Sequence, residues 1–123
     1  MPIGDRHEDQ VHYNLGAGGA DLTVLTSVAH AIVRRRGQIR EVKFALDDVG
    51  TSGDPVVELN VVRGTTRTVV GTVTFAQSAG DGQVKSMVTP ANTFVEVGDI
   101  LAVDVNTAGT GAHGLVCDVL VEN

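Results

Sequence analysis

A chain of 123 residues suits one domain and is too short for two ordinary ones. Its 22 Val, 12 Thr, 4 Ile and 15 Gly disfavour helix interiors and suit strands and tight turns, and at 42% hydrophobic the chain is no candidate for wholesale disorder. A net charge of −6 repels phosphate at long range, and a single cysteine, Cys117, excludes an internal disulfide framework and any multi-cysteine metal site.

In chain order, residues 1–20 mix charge, His7, His12 and four glycines, with few apolar anchors beyond Ile3, Val11, Tyr13 and Leu15. Such a segment has little to bury alone, so it is expected to be an extended N-terminal arm that orders against a partner through Tyr13 and Leu15. Its charged start, with Asp5, Arg6, Glu8 and Asp9, reads against a signal peptide. A sandwich domain is expected over 21–123. Leu22–Val33 is predicted as one strand, or two joined by a bend near Ser27, because Thr23, Val24, Thr26, Val28, Ile32 and Val33 outweigh a helical reading of 27–36. The stretch is also too short and too polar to cross a bilayer. In Gln38–Leu46, Val42, Phe44 and Leu46 fall on one face and Glu41 and Lys43 on the other, the period-two mark of a half-buried strand.

Asp47–Pro55 reads as a loop, with Gly50 and Gly53 free to adopt positive φ. Val57, Leu59 and Val61 alternate with Glu58 and Asn60. A turn over 63–66 then leads into Arg67–Phe75, where Val69, Gly71, Val73 and Phe75 are expected to share a face. Further strands are predicted over 83–89, 100–105 and 115–121, the last setting Leu115, Cys117, Val119 and Val121 inward. Seven to eight strands with short turns and no convincing helix define an all-β class, an antiparallel β-sandwich or jelly roll.

Chemistry is sparse. No His-x-His or His-x-x-x-His pair occurs, and His30 lies in a strand, so no metal and no cofactor are expected. Cys117 alternates with apolar residues and reads as a small buried hydrophobe. Asp47, Asp48 and Asp54 crowd one glycine-rich loop without an EF-hand spacing and read as turn formers. No nucleophile elbow, P-loop or dinucleotide fingerprint appears, so catalysis is not expected. Arg34, Arg35 and Arg36 form the one compact cationic run, placed in a turn between strands. Its functional reading is a contact with carboxylates of a neighbouring subunit. The aromatics are Tyr13, Phe44, Phe75 and Phe94 alone, too few for a nucleic-acid stacking surface.

The segments Gly37-Gln-Ile-Arg-Glu-Val-Lys-Phe-Ala-Leu, Thr51-Ser-Gly-Asp-Pro and Gly98-Asp-Ile-Leu-Ala-Val-Asp-Val-Asn-Thr-Ala-Gly-Thr-Gly-Ala-His-Gly-Leu together resemble small β-sandwich virion proteins of tailed bacteriophages. The type nearest in style is the head decoration, or cement, protein. The resemblance spans roughly residues 37–121 and rests on turn placement. It implies a structural protein on the capsid surface, made in the host cytoplasm, with the major capsid protein as partner. It also implies a homotrimer, a terminal arm across a neighbour, and no enzyme activity. The alternative is a carbohydrate-binding or receptor-binding sandwich, for which Tyr13 and Phe94 are the only aromatics left to stack on sugar rings.

Overall fold

The computed structural model describes residues 10–87 and 93–123. Nine strands occur among them: β1 (Gln10–Gly16), β2 (Leu25–Ile32), β3 (Gly37–Asp48), β4 (Val56–Arg63), β5 (Thr66–Thr74), β6 (Gln83–Met87), β7 (Phe94–Val95), β8 (Ile100–Thr107) and β9 (His113–Glu122). They form two antiparallel sheets ordered β1-β9-β3-β6, with β7 also on β3, and β2-β8-β4-β5. Successive strands mostly change sheet, β4–β5 and β6–β7 excepted, and this order is that of a jelly roll. The strand count exceeds the expected seven to eight because β7 adds a two-residue pairing and β1 joins the sandwich.

The alternating residues do what their spacing dictates. Val42, Phe44 and Leu46 of β3, Val57 and Leu59 of β4, Leu101 and Val103 of β8, and Leu115, Cys117 and Val119 of β9 meet in one buried core. Burial first, then the neighbouring Asp118 carboxylate, pushes the Cys117 thiol up to about 12. It is therefore neutral and packs as an apolar side chain.

The expected arm over 1–20 is corrected where the structure describes it. Residues 10–16 are β1, paired in unbroken register with β9 from Gln10↔Glu122 to Gly16↔Val116. Tyr13 and Leu15, expected to contact a partner, are only 4% and 2% exposed and belong to the chain's own core. The physical reason is the alternation Val11, Tyr13, Leu15 against Gln10, His12, Asn14, which gives this stretch an apolar face to bury on β9. Residues 1–9, the rest of that arm, lie outside the described residues, as do 88 and 89 at the end of the strand predicted over 83–89.

Bulges account for the expected bend near Ser27 and correct one other expectation. The bend near Ser27 is a register shift between Leu25 and Ala29, with Ser27 at φ 53°. In β5, Asn60 pairs with Val69 and Leu59 with Gly71, so Val70 is an extra residue that turns inward. Val69 is consequently exposed and does not share a face with Val73 and Phe75. A further shift between Ile39 and Glu41 makes Arg40 the extra residue in β3, which lets both Ile39 and Val42 face the core.

Candidate functional site

The strand directions sort charge to opposite ends of the sandwich. One end holds Arg34, Arg35 and Arg36 in the β2–β3 turn, Arg40 on β3, and Arg63 where β4 ends. The other holds Asp47 and Asp48 where β3 ends, with Asp21, Asp54 and Asp81 in the adjoining loops.

At the arginine end the structure brings together two of the residues singled out from sequence. The Arg34 N–H donates to the Tyr13 hydroxyl at 2.9 Å, and its guanidinium lies 5.5 Å from the centre of the Tyr13 ring. Tyr13 therefore anchors the arginine turn to β1 from inside, while Leu15 lies deeper in the core and takes no part. Arg34, Arg35 and Arg36 are all exposed. Arg36 lines a shallow cavity with Gln38, Arg40, Phe94, Glu96 and Glu122. Arg40 is paired there with Glu122 at 3.2 Å. Beside it, Arg63 grips buried Asp99 through two bonds of 2.9 and 2.7 Å. That grip, supported by the Glu96 N–H at 2.8 Å, holds the Asp99 carboxyl below the usual carboxylate range against the opposing effect of burial.

The groove between β1 and β2 is lined by His12, Tyr13, Asn14, His30, Ala31, Ile32 and Arg34. Here the edges of the two sheets lie side by side. Three of the four outer edges carry features that discourage strand addition: β2 has the Ser27 bulge, β5 has the Val70 bulge, and β6 is five residues long with Lys85 at its centre. β1 has none of these. It is seven residues long, regular in register, and free of Lys, Arg, Asp, Glu and Pro.

At the acidic end Asp48 serves its own turn, while Asp81 and Asp54 tie neighbouring loops together. Asp48 accepts the Gly50 N–H at 2.8 Å, Asp81 the Val49 N–H at 3.0 Å, and Asp54 the Gln77 N–H at 2.8 Å. Among the described residues, no group of three or more His, Cys, Asp and Glu is placed to hold a metal ion. His113 accompanies these acids, its Nδ1 bonded to the Gly111 carbonyl at 3.0 Å, with Asp48 at 3.8 Å and Asp21 at 3.9 Å. The Gly111 bond first, and then Asp48, Asp21 and Asp47, raise its pKa above the ordinary imidazole value. A folded-state pKa above the unfolded one stabilises the fold fully below about pH 6.5, and that contribution is lost as pH rises through the folded value. Urea unfolding should therefore show a larger stability gap between wild type and His113→Gln at about pH 5.5 than at about pH 8.5. A gap independent of pH would refute the assignment.

Of the two aromatics that sequence left outside the core, only Phe94 is exposed, and the burial of Asp104 was missed. Phe94 is 56% exposed at the arginine end, where its pairing with Gln38 turns it outward. Asp104, on the outer side of β8, is buried by a network with Ser27, Asn60 and Arg67. The Asp104 network needed a register across neighbouring strands that local alternation does not carry.

The architecture defines the class as an all-β jelly-roll sandwich. No protein-family model matches the chain, and no curated protein does. Among solved structures it is similar to Eiger TNF from S. frugiperda, with a TM-score of 0.50 at 18% identity over 80% of this chain and 67% of that one. At that identity the likeness supports the fold alone. Among the described residues no helix is long and apolar enough to cross a membrane.

Proposed function

We propose that this chain is a structural virion protein that binds the outside of a phage capsid and cements neighbouring subunits. The observation that carries the reading is the regular, uncharged edge of β1, which no described strand pairs on its outer side and which lies in a groove beside β2. A sheet edge with free backbone donors and acceptors takes up an extended partner segment by strand addition, with side-chain pockets giving selectivity. In this role the segment belongs to the major capsid protein. The exposed Arg34, Arg35 and Arg36 beside the groove attract an acidic partner surface. The bonded Tyr13 hydroxyl fixes that turn against the edge. The resemblance to decoration proteins adds a homotrimer on the capsid surface and a role in binding, not catalysis.

The test is co-sedimentation with capsids that lack the protein. Asn14 and Ile32 are exposed lips of the groove, so replacing both with lysine should leave the fold intact and place charge on the edge. Loading should fall at least about tenfold, and Arg34, Arg35 and Arg36→Ala should weaken it further and flatten its salt dependence. Unchanged loading by both variants would overturn the proposal. Sugar binding on a glycan array, lost with Phe94→Ser, would replace it with the carbohydrate-binding alternative.

A further inference from the structure

The register places two complementary features on one face of the β1-β9-β3-β6 sheet. Phe94 pairs with Gln38, which pairs with Glu122, so it stands on the outer face at the arginine end. Val84 pairs with Ala45, which pairs with Val116, on the same face at the acidic end. Glu122 and Val116 are six residues apart on β9, so the two features sit about 20 Å apart along the sheet. The first is an exposed aromatic beside Arg36, which makes no ion pair among the described residues. The second is a shallow apolar cleft lined by Ala45, Val84, Val116 and Gly114, rimmed by Asp47, with Asp81 next to it in the chain. Val84 is 67% exposed, and none of the described residues covers it.

We infer that copies of this chain associate head to tail, with Phe94 of one seated in the Val84–Val116 cleft of the next and Arg36 facing Asp47. The occupant of the cleft is a second copy because the exposed Phe94 ring matches its apolar wall and Arg36, left over once Arg40 pairs with Glu122, matches the Asp47 carboxylate at its rim. A protruding aromatic with an arginine at its side is the composition that dominates interface energetics, and the acidic rim of the cleft supplies the opposite charge. Two different patches meet, so the contact is heterologous and closes as a ring or runs on as a filament according to its rotation. The Arg36–Asp47 contact lies at a solvent-exposed rim, so it sets salt dependence and orientation, while the Phe94 ring supplies most of the affinity. The inference deepens the adhesive reading and rests on it only for the use of the arginine end.

Sedimentation velocity on the purified chain tests it, at high micromolar concentration and low ionic strength. Wild type should sediment as a trimer or larger species that dissociates as salt is raised. Phe94→Glu blocks one end and Val84→Glu the other; both positions are exposed, so each variant should melt as wild type does. Each should be monomeric alone, its self-association weakened about tenfold or more. Mixed one to one, they should recover a dimer and nothing larger, because one intact Phe94 and one intact cleft remain in each pair. A monomeric wild type, a variant that associates like wild type, or a mixture that stays monomeric would each overturn the inference. A wild type that is monomeric yet loads onto capsids sinks the head-to-tail contact alone. A wild type that self-associates but does not load onto capsids sinks the capsid reading alone.

Discussion

Replacing Asp104 with alanine is expected to destabilise the fold by about 3 kcal/mol or more, although the residue lies on the outer side of a sheet. Its carboxylate is 5% exposed and accepts three donors: the Ser27 N–H at 2.8 Å, the Asn60 amide at 3.0 Å and the Arg67 guanidinium. Alanine leaves these donors without their acceptor. Arg67 is about a third exposed and recovers water, but Asn60 is 1% exposed and cannot. Ser27 loses the bond that holds its positive φ and with it the β2 bulge. Removing one partner of a buried pair costs more than never having formed it, because the remaining groups stay desolvated. Arg67→Ala should be severe for the reciprocal reason. The double variant should cost less than the two single costs added together, since the pair fails as a unit. Chemical denaturation of the three variants measures this cycle. A loss under about 1 kcal/mol for Asp104→Ala would mean that the network is solvated and contributes little.

The sheet scaffold was legible because burial follows strand alternation wherever a strand keeps its phase. Glu41–Leu46 and Leu115–Val121 are cases in point, and both faces came out as their spacing required. Phase is also where the reading failed. Val69 was placed inward by counting in twos, and one extra residue, Val70, reversed it. A bulge has no strong local signature, so only the partner strand reveals it. The expected arm failed differently. Val11, Tyr13 and Leu15 carry a strand alternation as good as that of β3, but the flanking glycines and charges outweighed it in composition. Of the candidate contact residues, Arg34, Arg35 and Arg36 lie where a turn between strands should put them. Phe94 and the Val84–Val116 cleft were not read as a pair because their relation depends on which strands flank β3 at each end. Of the aspartates of the 47–55 loop, read as turn formers bonding their own backbone, Asp48 does so by accepting the Gly50 N–H, whereas Asp54 accepts the Gln77 N–H of another loop.

Gly50→Ala is the second large effect, and it tests the acidic end directly. Gly50 has φ +82°, and a Cβ there would lie 2.2 Å from the Thr110 carbonyl oxygen and 2.8 Å from the Ala112 nitrogen. Both obstacles are backbone, so no rotamer change relieves them. The same Thr110 carbonyl accepts the Thr51 N–H at 2.8 Å, and the Thr110 N–H donates to the Ser52 carbonyl at 2.9 Å. Moving aside therefore breaks the pairing that ties the 47–55 loop to the β8–β9 loop. The left-handed backbone costs an alanine about 1–2 kcal/mol, and the enforced displacement adds about 1–3 kcal/mol, so a loss near 3 kcal/mol is expected. Gly64, in the β4–β5 turn, separates the two contributions. It also has positive φ, at +61°, but a Cβ there meets nothing within 4 Å. Gly64→Ala should therefore lose only about 1–2 kcal/mol. Denaturation midpoints of the two variants give the steric part by difference. Equal losses would show that the two loops are not locked at this point, and the acidic rim they hold beside the cleft would then have no fixed geometry to offer a neighbouring copy.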